Sequence, residues 1–396
     1  MKRAKTGFAA AAVFAGLLLG PAAAQTGAVE FTPDEISRIL SHGPWPPPWQ
    51  PDPGNRLSGN ADAIALGETL FFERRLSGTR TISCAGCHIP EFGWSDAHQT
   101  AIGIAPVDRN TPGLLDARLN RWFGWDGASD SLWHSGVRPL LDRREMASSP
   151  AHVASVLRED AALACLALRT LDLEADDETV MVGAAKAMAA FMETLESGRT
   201  PFDRFRDALA EGRDDPDYPP AARRGLRTFV GEGNCHICHF GPAFTNGEFD
   251  DVGIPHFIAP GRVDPGRHGG IRALLASPFN LLGRYNDDPS GGNALGPRHV
   301  ELQHRNWGEF RVPTLRSLEA TAPYMHNGIF FTLSDVVRHY SEVSEDRLHS
   351  DGARLVRPLR LSPGEIDDLV AFLRTLSAPD ASKPHVPRVS GDCDRG

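Results

Sequence analysis

The chain has no apolar run long enough to cross a bilayer. The stretch over residues 8–19 is too short for the roughly 20 residues that a spanning helix needs, and nothing later is longer. It also lacks the cationic excess that nucleic-acid binding draws on, because its formal charge is −10. Strand-like stretches are scarce throughout, which leaves a mainly α-helical fold. Cysteine is sparse as well. Of six cysteines, four fall in two pentapeptides that share one pattern.

Those pentapeptides are Cys84-Ala-Gly-Cys-His88 and Cys235-His-Ile-Cys-His239. Two cysteines, two spacers and an adjacent histidine form the attachment signature of a c-type haem. Each thiol adds to one vinyl group of the porphyrin, and the histidine is placed to ligate the iron. Two copies in one exported chain point to two covalent haems rather than to a zinc site.

Export is read from the start of the chain. Lys2, Arg3 and Lys5 precede the short apolar run, and Ala22-Ala23-Ala24 follows it. This is a secretory signal peptide over residues 1–24, expected to be cleaved after Ala24. Loss of its three basic residues takes the formal charge to −13. The mature chain is expected in the periplasm, where an acidic electron-transfer protein suits a basic partner. Its length suggests two domains, and 41% hydrophobic residues allow a core in each. Cys165 and Cys393 remain. An oxidising compartment permits a disulfide between them, and a buried free Cys165 with a separate Cys393 is the alternative.

Residues 25–55, with Pro46-Pro47-Pro48 and Pro51-Asp52-Pro53-Gly54, read as an extended arm with little regular structure. Residues 61–72 read as a helix leading to the first haem motif, and residues 221–229 lead likewise to the second. Gly, Pro, Asp and Asn between His88 and Arg121 indicate loops. Helices are expected over 151–173 and 178–196, the latter with Val180, Ala184, Ala187, Met188, Phe191 and Leu195 on one face. A domain boundary is placed at 198–201, giving domains 25–198 and 199–380 and a loose tail over 381–396. Residues 247–310 read mostly as loop lining a site. Thr332-x-x-Asp335 and Ser362-Pro363-x-Glu365 each open a helix.

With these landmarks in place the chain resembles the bacterial dihaem cytochrome c peroxidases and their MauG-type relatives, over roughly residues 55–378. The resemblance rests on residues 66–77, the two haem motifs, Arg109-Asn110-Thr111-Pro112, Trp125-Asp126-Gly127, residues 231–245, Pro313-Thr314-Leu315-Arg316 and Ala322-Pro323-Tyr324-Met325-His326-Asn327-Gly328. It implies two cytochrome c-like domains, each with one covalent haem near the domain interface. One haem reacts with hydrogen peroxide and the other stores or relays electrons.

The resemblance also assigns roles. His88 and His239 match the proximal iron ligands, and Cys84, Cys87, Cys235 and Cys238 the attachment thiols. Trp125 matches a tryptophan between the haems that passes electrons. Glu145, twenty residues later, matches a distal glutamate suited to moving a proton between the peroxide oxygens. Where the family commonly has a distal glutamine this chain has Ser135, and His134 is a candidate substitute. The family's gating histidine, sixteen residues after the first haem histidine, is replaced by Ile104, and His98 lies nearby at the wrong spacing. The first haem is therefore expected to have a vacant face and to need no reductive activation. Fourteen residues after His326, electron-transfer members carry methionine. Tyr340 stands there, as in MauG-type members, and a phenolate ligand favours oxidised iron. Asn110, Thr321 and Pro323 match calcium ligands, the last two through backbone carbonyls, although Asn110 would equally stabilise its turn.

Three functions remain. The leading one is a MauG-like peroxidase that oxidises a protein partner, with side-chain modification, as at tryptophan, the further reading. The second is peroxide detoxification with a small cytochrome or copper protein as donor. The third is a dihaem electron carrier, which Ile104 makes harder because both irons would need two protein ligands.

Overall fold

The computed structural model describes residues 29–349, 351–352 and 354–379, together with His385 and Cys393. The expected signal peptide lies outside these residues. Among the described residues, twelve α-helices alternate with loops and one-turn 3-10 segments. In chain order they are α1 (Pro33–Leu40), α2 (Ala61–Phe72), α3 (Leu132–Leu141), α4 (Pro150–Glu159), α5 (Ala161–Ala167), α6 (Asp177–Met192), α7 (Pro201–Ala210), α8 (Pro220–Val230), α9 (Arg267–Ala276), α10 (Leu295–His299), α11 (Leu333–Glu342) and α12 (Pro363–Arg374). Sheet is limited, among the described residues, to two antiparallel two-stranded ladders. One pairs β1 (Phe249–Asp250) with β4 (Phe310–Arg311), and the other pairs β2 (Phe257–Ala259) with β3 (Arg262–Val263). None of the described helices is long and apolar enough to cross a membrane.

Two apolar cores organise the chain. Leu66, Leu70, Phe71, Trp133, Val153 and Phe191 belong to the first, built on α2 to α6. Phe202, Phe229, Phe244, Val337, Leu369 and Phe372 belong to the second, built on α7, α8, α11 and α12. Each core is closed by a helix pair that meets backbone to backbone at a glycine. A Cβ on Gly67 of α2 would lie 1.9 Å from the Ala187 carbonyl oxygen of α6, and one on Gly225 of α8 would lie 2.0 Å from that of Asp368 on α12. Alanine normally gains about 1 kcal/mol over glycine within a helix. Here overpacking should reverse that sign and cost about 1–3 kcal/mol. Gly67→Ala and Gly225→Ala should each lower the thermal midpoint followed by circular dichroism at 222 nm. An unchanged or raised midpoint would show that the backbones are not in contact there.

The helices preceding the haem motifs stand where the sequence places them, α2 over Ala61–Phe72 and α8 over Pro220–Val230. Several expectations are corrected. The 25–55 arm contains α1, opened by a Thr32–Glu35 capping box, and its Ile39 is fully buried in the second core. The 151–173 stretch is two helices, because Asp160 ends α4 and caps α5 through the amides of Ala162 and Leu163. A Thr200–Asp203 capping box opens α7. The tail is not loose at its two described residues. Cys393 is disulfide-bonded to Cys165, with Cα atoms 5.8 Å apart. His385 reaches the Glu68 carboxylate at 2.5 Å and stacks on Phe72.

The 247–310 segment is better ordered than a loop. It carries α9, α10 and three short strands, and Phe279, Leu281 and Ala294 pack into the first core. Buried polar contacts fasten it there. The Leu281 amide donates to Asp130 at 2.8 Å, and Lys186 bridges the Tyr285 carbonyl and Asp287.

Candidate functional site

Both pentapeptides fold into the same local unit. A one-turn 3-10 helix, Cys84–Gly86 or Cys235–Ile237, brings the thiols together. The amide of each histidine then bonds back to the carbonyl of the first cysteine at 2.9 Å. Nδ1 of His88 donates to the Trp94 carbonyl, and Nδ1 of His239 to that of Phe244, both at 2.9 Å. A carbonyl only accepts, so Nδ1 carries the proton and Nε2 keeps its lone pair for a metal, an orientation typical of ligating histidines. Burial lowers the pKa of both rings, that of His239 to about 4, so they stay neutral. The four cysteines are free of disulfides, and burial pushes Cys84 and Cys235 up to about 12, which keeps them as thiols.

Around the first motif, two loops are zipped by backbone bonds. The Ile104 amide donates to the Glu145 carbonyl at 3.0 Å, and that of Ala105 to Arg144 at 2.9 Å. This sets Glu145 near the thiols, close enough for its charge to act on both Cys84 and Cys87. The Glu145 pKa is raised, first by burial and then by Asp142, with Arg138 and Arg144 opposing. Ile104 presents a partly exposed apolar side chain. His98 stays exposed, and its carbonyl accepts from Asn110.

His134 is corrected as a substitute for the distal glutamine. It is fully buried, with Nδ1 3.1 Å from Asp130 and Nε2 3.0 Å from the Ser277 hydroxyl, so both ring nitrogens are spent inside the core. Ser135 donates to its own helix, at the Leu132 carbonyl.

The second motif opens onto a largely apolar cavity of about 420 Å³. Cys235, Cys238 and His239 line it, together with Tyr340, Val336 and Val337 of α11. Burial, followed by the thiols and Asp250, pushes the Tyr340 phenol well above its ordinary range. Its hydroxyl has no hydrogen-bond partner among the described residues. Arg311 lines the same cavity with its guanidinium buried and, among the described residues, bonded to the Gly124 carbonyl and the Asn120 amide oxygen and to no carboxylate. Burial alone lowers its pKa to about 10. A buried guanidinium without a carboxylate is costly. Free paired thiols, an available imidazole, an apolar cavity and an uncompensated cation together fit a covalently attached haem with its propionates.

Trp125 lines the cavity of the second motif. Its indole donates to the Asn110 carbonyl, the Asn110 amide donates to that of His326, and all three residues line the cavity. The Trp125 and His326 rings meet edge to face at 6.5 Å. His326 stacks on Phe310, and its buried Nε2 has no hydrogen-bond partner among the described residues. Arg109 fixes the tryptophan loop through Asp126 and a two-pronged pair with Asp264, all at 2.7 Å. Arg267 donates to the Gly127 carbonyl from between the rings of Trp122 and Phe249. Gly127 has φ +64°, and a Cβ there would lie 2.4 Å from the Arg267 guanidinium. The Asn110 amide nitrogen donates to the carbonyls of His98 and Gln99, leaving its oxygen available. Thr321 and Pro323 lie on the same cavity wall, and no described donor reaches their carbonyls.

Arg311, Arg267, Asp264 and the site position of His326 are not anticipated from the residues alone. A signal exists for His326. Gly124-Trp125-Asp126-Gly127 and Met325-His326-Asn327-Gly328 occupy equivalent turns with matching positive φ at each end, before α3 and α11 respectively. Trp125 and His326 are thus repeat equivalents that meet face to edge.

A mainly helical chain with two such motifs defines a dihaem c-type protein. Residues 61–211 match the family model for di-haem cytochrome c peroxidase. The chain is 33% identical over 325 residues to methylamine utilization protein MauG of Methylorubrum extorquens, covering 81% of this chain and 80% of that one. It is 31% identical over 354 residues to cytochrome-c peroxidase IdrP2 of Pseudomonas sp. strain SCT, covering 84% and 88%. Among solved structures, a MauG-like protein associated with microbial copper homeostasis matches with a TM-score of 0.60 at 25% identity, over 86% of this chain and 97% of that one. The dihaem peroxidase BthA of Burkholderia thailandensis shares the fold, with a TM-score of 0.63 at 23% identity, over 85% and 88%. The chain belongs to the dihaem cytochrome c peroxidase/MauG family. It is a haem-dependent oxidoreductase of the peroxide-using kind, with two c-type haems.

Proposed function

We propose that this is a periplasmic MauG-like peroxidase that uses hydrogen peroxide to oxidise a protein partner, with modification of a partner side chain as the finer reading. The carrying observation is the bond between the Ile104 amide and the Glu145 carbonyl. It sets an apolar side chain and a carboxylate together beside Cys84 and Cys87, with no ligating atom from residue 104. When bound, the two haems would supply the redox chemistry with peroxide. Glu145 receives the proton from one peroxide oxygen and returns it to the other. His88 and His239 would each hold one haem iron through Nε2, and Tyr340 would offer its phenol oxygen to the iron on the C-terminal side. Trp125, held rigid by Asn110, Arg109 and Arg267, carries electrons between the halves. Asn110 with the carbonyls of Thr321 and Pro323 supplies oxygen donors suited to calcium.

Fully ferric protein should therefore react with peroxide without prior reduction. Stopped-flow mixing, followed in the Soret band, tests this. A spectrum that changes only after one-electron reduction would overturn the reading. A second reading, peroxide removal with a small cytochrome or copper protein as donor, is favoured by the similarity to cytochrome-c peroxidase IdrP2. Steady-state turnover with such a donor separates the two.

A further inference from the structure

A third ligand cluster lies outside both haem sites. His304 stands in the 3-10 turn His304–Asn306, and His349 and Asp351 in the loop that follows α11. One ligand atom from each lies within 4.8 Å of the other two. Nδ1 of His304 is 2.9 and 3.1 Å from the two Asp351 oxygens, and Nδ1 of His349 is 2.7 Å from one of them.

The hydrogen bonding of His349 decides what can occupy this cluster. Its Nε2 is 2.7 Å from the Trp307 carbonyl. That oxygen only accepts, so Nε2 carries the proton and a neutral ring presents the Nδ1 lone pair to Asp351. Two lone pairs at 2.7 Å require a positive charge between them, either a further proton or a metal ion. His304 directs a second nitrogen at the same carboxylate, so one added cation would serve all three groups. The His349–carbonyl bond is also the contact that orients metal-binding imidazoles. We propose that His304, His349 and Asp351 form a site for a divalent first-row ion of the Cu²⁺ or Zn²⁺ type. Two imidazoles and one carboxylate favour these ions over calcium and magnesium.

The position gives the site a consequence. Arg347 donates to the Val356 carbonyl at 2.8 Å, and Leu355, Val356 and Arg357 line the cavity that holds Tyr340. A metal bridging His304 to His349 and Asp351 would pin this wall to the 304–309 segment.

Tag-free mature protein carrying both haems, stripped with chelator, should be titrated calorimetrically with ZnCl₂ and CuSO₄. One saturable equivalent per chain is expected. His304→Ala and Asp351→Asn should each weaken it by about 100-fold or more, beyond the usual cost of losing only a supporting contact, with the haem spectra unchanged. Metal should also slow proteolysis of the 343–357 loop in the wild type and not in His304→Ala. His304 is exposed, and among the described residues its side chain hydrogen-bonds Asp351 alone, so this variant keeps the test open even if His349→Ala misfolds. Absence of a saturable site, or binding that survives these substitutions, would overturn the proposal and leave the cluster held by a proton.

Discussion

Tyr340→Met should raise the reduction potential of the C-terminal haem by on the order of 0.1 V or more, within the roughly 0.8 V that axial ligands span. The cavity places Tyr340 with Cys235, Cys238 and His239, and leaves its hydroxyl without a described partner. Burial and the nearby thiols hold the phenol far from ionisation. A ferric iron held by Tyr340 would reverse that preference, because a bound cation is the largest local charge and favours the deprotonated ligand. An anionic oxygen there would stabilise the oxidised state, and a neutral thioether would give that stabilisation up. The variant should also lose its peroxide-oxidised state faster than the wild type. Spectroelectrochemical titration of both proteins, with Mössbauer spectra after peroxide, measures the two effects. Identical potentials and identical lifetimes would reduce Tyr340 to a packing residue, and the MauG-like reading would lose its strongest side chain.

Much of this site is legible in the sequence because its parts are local. A Cys-x-x-Cys-His turn dictates its own 3-10 geometry, and α2 and α8 are set by apolar spacing and clean starts at Asn60 and Pro219–Pro220. The distance from His326 to Tyr340 is read across one turn and one helix. The parts that escape are long-range. Whether His134 faces a haem or the core depends on Ser277, far along the chain and in an insertion with no periodic signal. The Cys165–Cys393 pairing depends on where the tail returns. The order of the 247–310 segment comes from Asp264, Arg267 and Lys186, whose charges carry no address for their partners. The early helix α1 has a readable capping box, Thr32–Glu35, but the prolines that follow it dominate the local composition.

Glu145→Gln should retain both haems and slow peroxide-driven oxidation by about 10²–10⁴-fold, the range of a lost general acid–base group. Glutamine keeps the side-chain shape, and the backbone bond from Ile104 to residue 145 does not involve the carboxylate, so the two zipped loops should persist. What is lost is the ability to hold and return a proton. The wild-type pH dependence has a definite sign. Burial first, and Asp142 next, raise the Glu145 pKa above its ordinary value of 4.5. The carboxylate, which is the form that can accept the peroxide proton, is therefore lost as pH falls through that raised value. The rate should drop there in the wild type, and the same limb should be missing from the variant. Arg138 and Arg144 oppose the shift. Arg144→Gln should accordingly move the limb to higher pH. Stopped-flow rates of ferric protein against peroxide across the acidic range give all three profiles. Unchanged kinetics in Glu145→Gln would take the proton-transfer role away from this residue. With both nitrogens of His134 tied to Asp130 and Ser277, an ordered solvent molecule would be the next group to test.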